Sequence, residues 1–129
     1  MAGERPYPVS CNLNPMKTFH ERLYAMLDDY AHDVYRVTKT FPREELYGAT
    51  SQLRRASLSV ILNYIEGYAR GRTKVNKNFL EIAYGSLKES QYLIGFGIKE
   101  NFLTQLQGAE LLRRADELGG MLWGIISKL

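Results

Sequence analysis

Residues 52–71, QLRRASLSVILNYIEGYARG, are the stretch of sequence that decides the fold. Apolar and small residues recur in it every three or four positions, which is the spacing of one face of an α-helix. The face predicted to turn inward carries Leu53, Ala56, Ser57, Val60, Tyr64 and Gly67. Because the small residues among them let a neighbouring helix approach closely, the segment is predicted to be a helix packed against other helices.

A second apolar surface lies on the same predicted helix, outside the inward face. It consists of Leu58, Ile61, Leu62, Ile65 and Tyr68. A peripheral bundle helix needs only one apolar stripe, so this surplus must be covered either by the other helices or by identical subunits. Because four helices of similar length share one core evenly, we favour identical subunits. The predicted oligomer interface is Leu58, Ile61, Leu62 and Ile65.

The rest of the chain also has helical periodicity, and no segment shows the period-two alternation that is typical of a sheet. We predict helices over residues 16–38, from residue 49 or 50 to 69, over residues 73–99, and after Thr104, which has capping-box spacing to Gln107. Phe41, before Pro42, is expected to fold back as a hydrophobic plug. Short connections make successive helices antiparallel neighbours, so the predicted fold is all-α, an antiparallel up-and-down four-helix bundle.

The chain has 129 residues, enough for one domain that needs neither disulfides nor a metal ion. We expect a flexible amino-terminal arm over residues 1–15 and the four-helix bundle over residues 16–129. Cys11 is the only cysteine, and no apolar run has the length of a signal-peptide core or a membrane span. These features predict a cytoplasmic protein without a membrane partner.

The basic residues are concentrated in one part of the chain. Between residues 54 and 78, six Arg or Lys residues stand against Glu66 alone. Four of them flank the predicted turn between the second and third helices: Arg70, Arg72, Lys74 and Lys77. A cluster of this kind is typical of a phosphate-binding surface, although a solvated helix connection has the same pattern. If the partner is RNA, Tyr68 could stack on an unpaired base, and Arg54 is a further candidate contact.

Polar residues on the second and third helices predict a structural network between them. Its members are Gln52, Arg55, Ser59, Asn63, Glu66, Ser86 and Glu89. Glu89 is predicted to lie at the edge of the inward face of the third helix, which is predicted to carry Phe79, Ile82, Ala83, Ser86, Ser90, Leu93 and Gly97. In an antiparallel pair that turns near Thr73, Glu89 lies level with Arg55. We therefore predict a partly buried ion pair between Arg55 and Glu89.

No constellation of residues predicts catalysis. Four-helix bundles can hold two metal ions with carboxylates, but the chain has no Glu-x-x-His motif, and His20 and His32 do not share a helix face. Neither a phosphate-cradling glycine loop nor a nucleophile with a neighbouring base can be assembled. We expect no enzyme activity, no catalytic residue, no metal and no cofactor.

Five short motifs together carry a resemblance to a known family. They are Phe41-Pro42 with Glu45, Tyr47-Gly48, Gln52-Leu53-Arg54-Arg55-Ala56, Asn63 with Glu66-Gly67, and Gly85-Ser86-Leu87-Lys88-Glu89. The chain resembles the small proteins encoded within intervening sequences of bacterial 23S ribosomal RNA genes. The resemblance implies an up-and-down bundle and a ring-shaped homo-oligomer, with a pentamer as the expected form, and no established reaction. Related bundle proteins that serve diversity-generating retroelements engage nucleic acid through basic surfaces.

Two functional hypotheses follow from these observations. The first is a non-enzymatic RNA-binding module, in which the basic residues around the turn contact phosphates. The second is an oligomeric scaffold, or an accessory factor with no direct RNA role, which uses its exposed apolar face for self-assembly or for another protein. Loss of RNA binding without loss of assembly, after charge reversal at Lys74 and Lys77, would favour the first.

Overall fold

The computed structural model describes residues 18–129, and these form four α-helices. The helices are α1 (Phe19–Thr38), α2 (Ala49–Ala69), α3 (Lys74–Lys99) and α4 (Gln105–Ile126), with a short 3-10 turn at Arg43–Glu45. Each helix packs on the next and α4 packs back on α1, whereas no close backbone approach joins the diagonal pairs in this part of the chain. The protein is therefore an all-α, antiparallel up-and-down four-helix bundle, as predicted. No helix within residues 18–129 is long and apolar enough to cross a membrane.

Capping boxes fix where α1 and α4 begin. The Thr18 hydroxyl accepts the backbone N–H of Glu21, and the Glu21 carboxylate accepts the N–H of Thr18. Thr104 and Gln107 make the same reciprocal pair at the start of α4, which confirms the predicted cap. These bonds satisfy N–H groups that have no partner inside the helix. Consequently α1 begins three residues later than predicted, and the predicted arm over residues 1–15 lies outside the described residues.

The core runs between all four helices and is made of large apolar side chains. Those with almost no exposed surface include Leu23, Leu27, Val34, Leu53, Val60, Leu80, Leu87, Ile94, Leu118 and Leu122. All six residues predicted for the inward face of α2 are buried. This agreement follows from the single small-residue stripe of α2, which only one rotation of the helix can bury.

A buried polar contact between Tyr30 and Ser90 lies within this core. Ser90 donates a hydrogen bond to the backbone oxygen of Leu87, and its oxygen lies 2.7 Å from the hydroxyl of Tyr30. The Tyr30 hydroxyl is therefore the donor in the second bond. Burial raises the pKa of Tyr30 to about 12. The contact joins α1 to α3 across the bundle.

Phe41 closes the end of the bundle opposite the α2–α3 turn. Its side chain is buried, and its ring centroid lies 5.3 Å from that of Phe102 in the α3–α4 connection. Gly97 leaves space for the Phe41 ring on α3. The predicted hydrophobic plug is confirmed.

The predicted inward face of α3 is wrong in part. Ala83, Ser90 and Gly97 are buried as predicted, whereas Ile82 is 44% exposed. The large apolar side chains that α3 buries are Leu80, Leu87 and Ile94. Apolar residues occur on two sides of α3, so periodicity alone does not identify the buried side. The actual rotation turns Glu89 away from the core, and this residue is exposed.

Candidate nucleic-acid interface

Four basic side chains surround the turn between α2 and α3, and we call them the basic tip: Arg70, Arg72, Lys74 and Lys77. The turn is short because Gly71 adopts a left-handed conformation, with φ of 69°, directly after α2. Such a backbone ends a helix and reverses the chain at little cost for glycine. Thr73 then caps α3 by accepting the N–H of Asn76. The turn thus brings four cations, contained in eight residues of sequence, to one end of the bundle.

The two helices approach each other closely just before the basic tip. A Cβ atom at Gly67 would lie 3.2 Å from the backbone oxygen of Asn76 and 3.2 Å from Cδ2 of Leu80. The Asn76 side chain donates a hydrogen bond of 2.5 Å to the backbone oxygen of Gly67. The Gly67 oxygen also accepts the backbone N–H of Arg70, and the additional bond from Asn76 links the start of α3 to the end of α2.

Three of the four cations are available to a ligand. Arg70 is partly engaged, since it lies 3.4 Å from the carboxylate of Glu66 and its guanidinium lies 5.7 Å from the ring centroid of Phe79. Arg72, Lys74 and Lys77 are exposed and pair with no acidic residue among residues 18–129. The tip therefore keeps a local positive charge.

An aromatic stack stands beside the basic tip. The rings of His20 and Tyr68 are nearly parallel, with centroids 3.5 Å apart and planes at 10°. Nδ1 of His20 lies 2.6 Å from the hydroxyl of Tyr64, and this hydrogen bond fixes the orientation of the imidazole. Burial lowers the pKa of His20, against a smaller opposite effect of Glu21, which favours the neutral imidazole. Tyr68 remains 56% exposed on top of this stack.

Arg54 lies far from the basic tip. It precedes Arg70 by sixteen residues of α2, which is about 24 Å along the helix. Its Nε donates to the hydroxyl of Thr38 at 2.8 Å, and its guanidinium lies 4.7 Å from the ring centroid of Tyr35. These contacts tie the end of α1 to α2. The structure therefore gives Arg54 a structural role that the sequence did not indicate.

Three of the seven predicted members of the polar network contact one another: Ser59, Asn63 and Ser86. Ser59 and Ser86 hydroxyls lie 2.7 Å apart, and Asn63 donates to both the backbone oxygen and the hydroxyl of Ser59. The other four predicted members are exposed to solvent: Gln52, Arg55, Glu66 and Glu89.

The predicted Arg55–Glu89 ion pair does not form. Ser59 and Ser86 are in contact, and Arg55 and Glu89 each lie about one helical turn from this contact. Arg55 and Glu89 are therefore at the same height along the bundle, as predicted. However, both side chains point to solvent, and no ion pair links them in the described part of the chain. The error comes from the rotation of α3, which sets the direction of Glu89.

The predicted interface residues divide between the core and the surface. Ile61 is 7% exposed and belongs to the core, and Leu58 is half-buried. Leu62 and Ile65 are exposed by 58% and 38%. On α3, the exposed Ile82 lies level with Leu62, because the Ser59–Ser86 contact sets the register of the two helices. We call Leu58, Leu62, Ile65 and Ile82 the outer apolar face.

Sequence reasoning missed His20 and Asn76 as parts of this region. His20 was considered only as a metal ligand, and within residues 18–129 no group of three or more His, Cys, Asp or Glu residues could hold a metal ion. Its partner Tyr68 lies on another helix, so no local motif links them. Asn76 stands among polar residues in the sequence, and only the fold shows that it is buried.

The comparisons with known proteins agree with the fold. Residues 22–124 match the family model for the 23S rRNA-intervening sequence protein. No curated protein matches the sequence. A solved structure from Bacteroides thetaiotaomicron, described as a protein with unknown function from the S23 ribosomal protein family, has a TM-score of 0.72 to this chain. The two are 20% identical, and the match covers 81% of this chain and 97% of that chain, which is a likeness of fold alone. Since the family model spans most of the bundle, this chain belongs to the 23S rRNA-intervening sequence protein family.

Proposed function

We propose that this chain is a non-enzymatic RNA-binding protein that acts as a ring-shaped homo-oligomer and contacts RNA with its basic tip. The observation that carries the proposal is the group of exposed cations, Arg72, Lys74 and Lys77, which pair with no acidic residue in the described part of the chain. The family description names the intervening sequence of 23S rRNA. A fragment of 23S rRNA is therefore the first RNA to test.

The tip has the chemistry of a phosphate-binding surface. Each Lys or Arg that neutralises a phosphate releases a counterion, so the binding constant falls with salt by a logarithmic slope of about −0.7 per contact on a single strand. Three available cations per subunit predict a slope of about −2 for one tip. The last turn of α2 and the first turn of α3 meet at this tip, so their opposite helix dipoles largely cancel and the positive charge comes from the side chains.

Self-association is supported by the outer apolar face. Leu62, Ile65 and Ile82 expose large apolar side chains on neighbouring helices, and exposed apolar side chains that lie near one another are typical of an interface between copies of a chain. A ring would present several basic tips on one rigid body, so weak phosphate contacts would combine into stronger binding. The family resemblance makes a pentamer the expected ring.

The test is a salt titration of RNA binding with a charge-reversed variant and a matched control. Lys74→Glu/Lys77→Glu removes two cations from the tip. The logarithmic salt dependence of the binding constant should therefore become shallower by about 1.4 for each tip that contacts a single strand. Lys39→Glu/Lys99→Glu makes the same charge change at the opposite end of the bundle, where both lysines are exposed. This control should keep most of the affinity of the natural protein. Light scattering in the same buffers reports the molar mass of each variant.

Equal loss of affinity in the tip variant and in the control would show that the tip is no specific RNA surface. A preference for the 23S rRNA fragment over an unrelated RNA would add sequence or shape recognition to the charge effect. If the natural protein forms a ring and binds neither RNA, the proposal fails in favour of the second candidate.

The second candidate function is an oligomeric scaffold that binds another protein. The outer apolar face favours it, because Leu62 is more than half exposed to solvent. Leu62→Asp would then abolish assembly or partner binding, whereas charge reversal at the basic tip would change neither.

A further inference from the structure

An open groove of about 940 Å³ lies directly beside the basic tip. Its described walls come from the start of α1, the α2–α3 turn and the second half of α4, and include Phe19, Tyr68, Met121 and Ile125. The volume is within the range of sites for small ligands. Most of this surface is apolar, so phosphate contacts alone do not account for it.

We propose that this groove receives one unpaired base of the RNA strand whose phosphates contact the basic tip. The inference rests on the proposed function, because it names the part of the RNA that the same region recognises. Three observations carry it: a prepared aromatic platform, a buried hydrogen-bond acceptor, and cations at the rim.

The platform is the Tyr68 ring. His20 covers one face of it at a centroid distance of 3.5 Å, so a base can stack only on the opposite face. The hydrogen bond between His20 and Tyr64 holds the imidazole, and the imidazole in turn holds Tyr68 in one orientation. Little rotamer freedom is then lost when a base binds, which makes the stack more favourable than one on a freely rotating tyrosine.

The acceptor is Oδ1 of Asn76. This side chain borders the groove and is only 6% exposed. Its amide nitrogen donates to the backbone oxygen of Gly67, but Oδ1 accepts no hydrogen bond from any residue between 18 and 129. A buried acceptor without a partner is unfavourable, and an N–H group on the edge of a base would satisfy it.

The rim supplies charge that favours a nucleotide over an apolar ligand. Arg72 and Lys128 both border the groove, against Glu117 as the acidic residue among its described walls. Arg72 also belongs to the basic tip, so the phosphates on either side of an inserted base would remain in contact with cations. An unpaired residue within an RNA strand fits this arrangement, because its neighbours stay on the tip.

A groove-filling substitution tests the proposal without disturbing the tip. A Cβ atom at Gly120, which borders the groove, meets no atom within 4 Å. Gly120→Leu therefore places a side chain in the groove, and leucine is a better helix former than glycine. Gly95→Leu is the matched control, because Gly95 also has no neighbour within 4 Å and does not border the groove.

The assay compares a short oligoadenylate with an abasic oligonucleotide of the same length, by fluorescence anisotropy at one salt concentration. The natural protein and Gly95→Leu should bind the oligoadenylate roughly tenfold more tightly than the abasic strand. This ratio corresponds to the free energy of stacking about one base on an aromatic ring. Gly120→Leu should bind both strands with the weaker affinity. Tyr68→Ala should also lose the preference, whereas Tyr68→Phe should keep it.

The outcomes separate failure of this inference from failure of the proposed function. Equal binding of both strands by the natural protein, or an unchanged preference in Gly120→Leu, overturns the base site and leaves the phosphate-binding tip. Absence of binding to either strand overturns both. A changed molar mass of Gly120→Leu in light scattering would identify the groove as a contact between copies of the chain, which also overturns the base site.

Discussion

Gly97 is predicted to be the glycine of α3 that tolerates substitution least. A Cβ atom there would lie 2.8 Å from Cδ2 of Leu103 and 3.2 Å from Cζ of Phe41. Both neighbours are only 7% exposed, so neither can swing into solvent. At Gly95, on the same helix, a Cβ atom meets nothing within 4 Å. Gly97→Ala and Gly95→Ala therefore make the same change in helix propensity, with and without a steric conflict.

The magnitudes follow from these two effects. Replacing glycine by alanine inside a helix stabilises it by about 1 kcal/mol, so Gly95→Ala should raise the free energy of unfolding by that amount. Overpacking a well-filled core costs about 1–3 kcal/mol. Gly97→Ala should therefore change stability by between about 0 and −2 kcal/mol. The two variants should differ by about 1–3 kcal/mol.

Urea unfolding, followed by the helical circular dichroism signal, measures both variants against the natural chain. A double variant adds a control, because Leu103→Ala removes Cδ2 and should reduce the penalty of Gly97→Ala. Equal increases in the unfolding midpoint for Gly95→Ala and Gly97→Ala would refute the close packing of Phe41 and Leu103 on α3.

Three further predictions concern single contacts. Ser90→Ala should lower the free energy of unfolding by about 1–3 kcal/mol, because it leaves the buried Tyr30 hydroxyl without a hydrogen-bond partner. Tyr30→Phe leaves Ser90 bonded to Leu87 and should lower it by only about 1 kcal/mol. The reverse order in urea titrations would contradict this assignment of donor and acceptor. Thr104→Ala should cost about 1 kcal/mol by removing the cap of α4, while Thr104→Ser should be nearly neutral in thermal unfolding. Because burial holds the pKa of His20 in the folded state below 6.5, the unfolded chain takes up this proton first as the pH falls. The contribution of His20 to stability is therefore complete above about pH 6.5 and declines towards the folded-state pKa, and His20→Gln should remove this part of the pH dependence; an identical pH profile in the variant would exclude the mechanism.

The positions of the helices could be predicted because the signals that set them are local. The second helix was predicted from residue 49 or 50 to residue 69, and α2 spans Ala49–Ala69. Backbone hydrogen bonds and caps link residues three or four positions apart, so neighbouring sequence contains the necessary information. The late start of α1 was also encoded locally, since Thr18 and Glu21 have the same spacing as Thr104 and Gln107.

The orientation of α3 could not be predicted in the same way. Its sequence has apolar residues on two faces, one with Leu80 and Leu87 and another with Ile82. Which face is buried depends on α2 and α4, which pack on either side of α3. The wrong choice carried directly into the Arg55–Glu89 ion pair, although the level of the two residues was predicted correctly.

The sequence by itself determined that this chain is a four-helix bundle and that four cations meet at one turn, because both follow from patterns within short segments. Only the tertiary structure decided that His20 supports Tyr68, that Asn76 is buried against Gly67, and that a groove opens beside them. These groups come together from different helices. Their contacts depend on the rotation and register of whole helices, which are set by packing over the entire core rather than by neighbouring residues.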